Sequence, residues 1–210
     1  MSTRDTTVAA TGVAPGTPAT RGGPATRERI LDTATELFYA HGMRAVSADR
    51  VIERVGITKV TFYRHFRTKD DLLVAYLRRR AAYEHQAVAR LREGAGDDLP
   101  RALRLLAHGI GAETCRPGFR GCPFINAAAE FAEPDHPVRQ VVAEHRAWFV
   151  GELRAMLTAA GIDPPDAAAD QLMMLRDGAT VAGYLGDAEA VGRDLEQAAL
   201  AVVAAHRRPG

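Results

Sequence analysis

The sequence predicts an all-α fold, a small three-helix head followed by a larger helical bundle, about nine helices in all. Three observations carry this. Apolar residues recur at helical spacing along almost the whole chain, with no convincing period-two alternation. Gly and Pro fall in clusters that cut the chain into helix-length pieces. Charge divides the same way: Arg21 to Arg80 holds 13 Lys and Arg against 7 Asp and Glu, a net of +6, whereas Ala81 to Gly210 holds 13 against 18, a net of −5. A basic head on an acidic body is concealed in an overall charge of only +1.

Residues 1–24, rich in Thr, Ala, Gly and Pro, lack the apolar content for a core and read as a disordered arm. Its arginines Arg4 and Arg21, with Arg27 just beyond, are candidate groove contacts, though a solvated tail is the plainer reading. Ile30, Leu31, Ala34, Leu37 and Phe38 then mark one helix face, with Thr26 as a cap and Gly42 past the end. Two short helices follow, Ser47–Val55 and Thr58–Phe66. Thr68 and Asp71 have capping-box spacing and open a long helix buried through Leu72, Leu73, Tyr76, Leu77, Val88 and Leu91. Gly94, Gly96 and Pro100 interrupt it. The remaining helices are read as Leu99–Ala112, Phe124–Ala132, Pro137–Ala160, Pro165–Gly183 and Ala188–Arg207. The domains expected are 25–70 for the head and 71–210 for the body.

The stretch from Ser47 to Phe66 carries the functional argument. Ser47 and Thr58 cap their helices, Gly56 supplies a left-handed turn, and Ile57 plugs that turn into the core. Phe62 and Phe66, four apart, point inward and leave Lys59, Thr61, Tyr63, Arg64 and His65 outside. A helix-turn-helix with a polar, basic second helix suits the major groove of double-stranded DNA. Two solvated helices of any bundle fit the same spacing and charge.

The wider segment resolves the choice by resemblance. Arg29-Ile30-Leu31-Asp32-Thr33-Ala34, Leu37-Phe38, His41-Gly42, Val46-Ser47, Val55-Gly56-Ile57-Thr58, Thr61-Phe62-Tyr63-Arg64-His65-Phe66 and Thr68-Lys69-Asp70-Asp71-Leu72-Leu73 follow in order. Together Thr26 to Leu77 resembles the N-terminal domain of TetR-type bacterial transcriptional regulators. The resemblance implies that Thr58, Lys59, Val60 and Thr61 face bases or nearby phosphates, and that Tyr63, His65, Lys69, Ser47 and Arg44 reach phosphates. Val60 departs from the small residue usual there and leaves the operator sequence open; Val can meet a thymine methyl.

The resemblance also implies a homodimer built from the last two helices. Leu172, Leu175, Ala179, Gly183, Leu195, Ala199 and Val202 are the candidate interface; packing within the subunit is the alternative. The body is expected to bind a small-molecule effector that releases an operator, so that the protein acts as a repressor. A segment Gly121-Cys122-Pro123-Phe124-Ile125-Asn126-Ala127-Ala128-Ala129-Glu130-Phe131 looks like a stretch found in a subset of such bodies. Cys122, Phe124, Asn126, Phe131, Trp148, Met156, Met173, Met174 and Tyr184 are the candidate pocket residues, apolar walls with a few polar groups. A DNA-binding regulator without an effector remains an alternative.

Other chemistries find little support. There is no Gly-x-Ser-x-Gly, no P-loop and no three-glycine dinucleotide fingerprint, so no enzyme or cofactor is expected. Glu130, Glu133, Asp135 and His136 read as an exposed acidic turn and not as metal ligands. Cys115 and Cys122 are expected to be buried, inert thiols, although the turn between them admits a redox pair. Two cysteines, no apolar leader and a longest late apolar run of eight residues, Ala198 to Ala205, give a cytoplasmic protein without a membrane span.

Overall fold

The computed structural model describes residues 23–207, and these form nine helices without strands. They are α1 (Pro24–His41), α2 (Ala48–Val55), α3 (Lys59–His65), α4 (Lys69–Ala95), α5 (Leu99–Thr114), α6 (Pro123–Glu130), α7 (Pro137–Ala159), α8 (Asp166–Leu185) and α9 (Ala188–His206). The expected arm, with Arg4 and Arg21, lies outside the described residues apart from Gly23 and Pro24.

The start of the first helix is corrected. Pro24 occupies its first turn, where a missing N–H costs nothing, and Gly23 precedes it. Thr26 is therefore no cap but a buried first-turn residue. The other N-terminal signals act as their chemistry suggests. The Ser47, Thr58 and Thr68 hydroxyls accept from the backbone N–H groups of Arg50, Thr61 and Asp71. The Asp71 carboxylate returns a bond from the Thr68 N–H, completing the box. Gly56 takes φ +74° between α2 and α3, a conformation unfavourable for a residue with a Cβ. Gly94 and Pro100 interrupt nothing: α4 runs on to Ala95, and Pro100 sits in the first turn of α5, whose cap is Asp98.

Two apolar cores result. The head core gathers Ile30, Phe38, Val51, Phe62, Phe66 and Tyr76 from α1 to α4, and continues without a break into Phe124, Ala127, Phe131, Val138 and Val141 of the α6–α7 region. The second core joins Val88 of α4 to Leu103, Phe149, Leu153, Leu172, Ala199 and Val203. α4 therefore serves both cores. Arg79 secures its upper half to α1, donating to the Asp32 carboxylate at 2.6 Å and to the Leu31 carbonyl at 3.0 Å.

Small residues bring the body helices close within one subunit. A Cβ on Gly111 of α5 would lie 2.8 Å from the Gly192 Cα of α9. A Cβ on Gly183 would overlap Thr114. This corrects part of the expected dimer face. Leu172, Gly183, Leu195 and Ala199 are buried inside the subunit. Leu175, Ala179 and Val202 are half-buried. The exposed apolar side chains of α8 are instead Met174, Val181, Tyr184 and Leu185, the last 76% accessible. Within the described residues, no helix is long and apolar enough to cross a membrane.

Candidate nucleic-acid interface and effector cavity

The face of α3 is set by what lies under it. Phe62 and Phe66 are buried, with Tyr63 standing edge-on against Phe62 at 5.2 Å. Thr58, Lys59, Val60, Tyr63 and Arg64 are consequently outward, and Val60 is 71% exposed. Thr58 and Thr61 hydroxyls lie 2.9 Å apart, and Lys59 Nζ meets the Asp49 carboxylate of α2 at 2.9 Å. That carboxylate raises the Lys59 pKa by hydrogen bonding and charge, keeping the ammonium protonated. Ser47 is exposed at the head of α2 as its cap.

Three expected phosphate contacts are placed differently. Arg44 turns toward the body: its Nε donates to the Glu130 carbonyl, its guanidinium covers Phe131 at 4.9 Å, and its Nη2 lies 3.5 Å from Glu133. Lys69 is half-buried and donates to the Arg44 carbonyl at 3.1 Å; burial lowers its pKa. His65 is half-buried, with Nε2 enclosed and without a hydrogen-bond partner among the described residues. Arg50, Arg64 and Arg67, by contrast, are exposed guanidiniums without an ion-pair partner among the described residues. The preponderance of arginine over acid in the head pointed to them. Arg27, on α1, lies over the Phe66 ring at 4.9 Å.

The residues read as an acidic turn tie the head to the body. Glu130 accepts from the Met43 and Arg44 N–H groups at 3.0 and 2.6 Å. His136 caps α7 and lies 3.5 Å from Asp70. A second tie comes from the loop before α6. Tyr39 Oη donates to the Gly121 carbonyl at 3.0 Å and accepts from the Arg120 N–H at 2.9 Å, while Arg120 Nη1 donates to the Ala40 carbonyl.

That loop also borders a cavity of about 540 Å³ between α4, α5, α7 and α8. Its buried end is polar. Arg176 is 6% exposed and lies 3.1 Å from Glu84 and 3.2 Å from Asp177, with the Cys122 thiol at 3.4 Å. Arg80 lies 3.1 Å from Glu84 and 2.9 Å from Glu113. His145, stacked on Phe124 at 3.7 Å, places Nε2 3.1 Å from Glu84, off the line of a well-directed hydrogen bond. Burial works to raise the Glu84 pKa, but His145, Arg176 and Arg80 outweigh it and the net shift is downward. Apolar walls follow from Val88, Leu91, Leu106, Ile110 and Phe149. The exposed rim carries Tyr83, Arg90, Arg101 and Leu105.

Of the nine expected pocket residues, Cys122 alone borders this cavity. Asn126 and Tyr184 line a smaller one, about 210 Å³, beside Tyr39 and Glu130. Phe124, Phe131 and Met173 are core, and Trp148 and Met156 pack on it. Met174 is on the surface. The missed residues had one legible signal. Arg176 falls on the inward stripe of α8 with Leu172, Met173, Thr180 and Gly183, where a charge needs a buried partner. Cys122 is buried as expected, whereas Cys115 is exposed.

Comparison with known proteins agrees with this architecture. A family model for bacterial regulatory proteins of the tetR family matches residues 30–76. The solved structure of a TetR-family transcriptional regulator from Streptomyces coelicolor is 38% identical, with a TM-score of 0.82 over 87% of this chain and 96% of that one. The chain belongs to the TetR family. Membership places it among transcriptional regulators and not among enzymes. The HTH-type transcriptional repressor NemR of Escherichia coli K12 is 27% identical over 119 residues, 56% of this chain. The match spans 59% of that repressor, less than two thirds of its length. The solved reduced form of E. coli NemR, 21% identical, shares the TetR-family fold, with a TM-score of 0.70 over 84% of this chain and 95% of that one.

Proposed function

We propose that this TetR-family chain is a cytoplasmic homodimeric repressor. Its heads, residues 25–70, bind a palindromic operator in double-stranded DNA, and a small-molecule effector bound in the 71–210 body releases them. The reading is carried by one observation: the loop Gly121-Cys122-Pro123 borders the large cavity and is bonded to the end of α1 through Tyr39. An occupant that moves the loop therefore bears on the head. It shifts the equilibrium only to the extent that it prefers the DNA-incompetent arrangement.

In this reading Thr58, Lys59, Val60 and Thr61 read bases or adjacent phosphates, while Tyr63, Ser47 and the exposed arginines hold the backbone. Phosphate contacts supply affinity and base contacts supply choice of site. A single head contacts too few bases to select a site, and a two-fold dimer doubles the count. Met174, Val181 and Leu185 of α8, with the half-buried Val202 of α9, are the surface that a second copy would cover.

The test is selection of duplexes from a random pool by the purified chain, followed by binding at fixed salt. The expected result is a palindrome with half-sites spaced by whole helical turns. Failure to enrich any duplex would overturn the reading.

A further inference from the structure

We infer that the effector taken by the large cavity is an anionic amphiphile, an apolar body carrying one carboxylate or comparable acid group that docks at the rim between Arg90 and Arg101. The inference rests on reading this cavity as the effector site.

Charge is distributed unevenly along the cavity. At the buried end each acid is already engaged. Glu84 lies beside Arg80, Arg176 and His145, and Glu113 meets Arg80 at 2.9 Å and Arg116 at 2.9 Å. A cationic ligand gains nothing there unless it displaces a guanidinium, and Arg176, 6% exposed, is already held by two carboxylates. The rim is different. Its two charged side chains, Arg90 and Arg101, are both positive, exposed, and without an ion-pair partner among the described residues. A cleft with low-dielectric walls and one sign of charge at its mouth concentrates the opposite charge. Between the ends lie Val88, Leu91, Leu106, Ile110 and Phe149, which bury carbon and offer no polar partner. A guanidinium also pairs with a carboxylate through two parallel hydrogen bonds. The order from mouth to floor is thus cation, hydrocarbon, neutralised ion pairs.

The experiment is calorimetric titration of the full chain with matched pairs below micelle concentration: dodecanoate against dodecanol, and 2-naphthoate against 2-naphthol, with rhodamine 6G as a cation. At least one acid is expected to bind about tenfold tighter than its alcohol, the worth of a charge-assisted hydrogen bond. Arg90→Ala with Arg101→Ala, both at exposed positions, should abolish that difference and leave alcohol binding unchanged. Equal affinity of acid and alcohol in the unaltered chain overturns the proposal. So does tighter binding of rhodamine 6G, an acid preference that survives the double substitution, or binding of none of the five probes. Release of operator DNA is measured separately with the same compounds. An acid that binds at the rim without releasing DNA overturns the effector-release reading alone. Release by rhodamine 6G overturns the anionic class alone.

Discussion

On the proposed function Lys59 is a DNA-contacting side chain, and it is held before it has anything to contact. Its ammonium lies 2.9 Å from the Asp49 carboxylate, on an exposed surface where such a pair contributes little to stability. Contact with a phosphate or a base edge means leaving Asp49, whose charge then opposes DNA. Lys59→Ala should weaken operator binding and reduce the slope of log affinity against log salt by about 1, one phosphate contact fewer. Asp49→Asn should do the reverse and tighten binding. Titrations at several salt concentrations check both, and an unchanged affinity in each variant would remove Lys59 from the interface. Side chains of this kind are legible in sequence because their placement is local. Ser47, Thr58 and Thr68 cap within three residues, and Phe62 and Phe66 bury one face of a single short helix. Arg44 and His65 are not legible in this way. Arg44 is drawn aside by Glu130 and Phe131, more than eighty residues further on, and no local pattern announces that partner.

Between helices, the deciding feature is the buried polar cluster that joins α4, α7 and α8 through Glu84, His145 and Arg176. Removing one member of a buried cluster leaves the others uncompensated, at a cost of about 3 to 5 kcal/mol. Glu84→Gln should therefore destabilise the fold by about that much at neutral pH. The pH dependence follows from the shift. The folded Glu84 pKa lies below its ordinary 4.5, so its stabilisation is complete above that value and is lost as pH falls through the lower, folded one. Urea unfolding from neutral to acid pH, at fixed protein concentration, should show a steep acid limb that is shallower in Glu84→Gln; parallel limbs would mean that another carboxylate governs it. Helix number, order and approximate bounds were readable from periodicity and punctuation. Partner choice was not. Gly183 and Ala199 read as an intersubunit face, with packing inside the subunit as the alternative, and only the position of Thr114 and the second core decides for the latter.

For the whole molecule two consequences follow, and the first concerns assembly. Met174 and Leu185 lie exposed on α8, 62% and 76% accessible, so replacing both by Arg should leave the subunit folded and yield monomers by light scattering. A dimer that persists would move the contact to another face. The second concerns transmission from cavity to head. Tyr39 is one of two side chains that tie the cavity-bordering loop to the end of α1, by one bond given to the Gly121 carbonyl and one received from the Arg120 N–H; the other is Arg120, whose Nη1 donates to the Ala40 carbonyl. Burial raises its pKa, so the hydroxyl stays protonated and able to donate. Tyr39→Phe keeps the ring and its packing but removes both bonds, a net of about 1 kcal/mol each. Coupling between two sites is typically about 1 to 3 kcal/mol, so losing this tie is enough to erase much of it. The operator affinity of the free protein and the effector affinity without DNA should change little. The ratio of operator affinities without and with effector should fall about fivefold. Linkage supplies an internal check, because DNA must weaken effector binding by the same factor in each protein. If Tyr39→Phe leaves that ratio unchanged in both directions, the loop is a strut, and the signal travels along α4, which serves both cores.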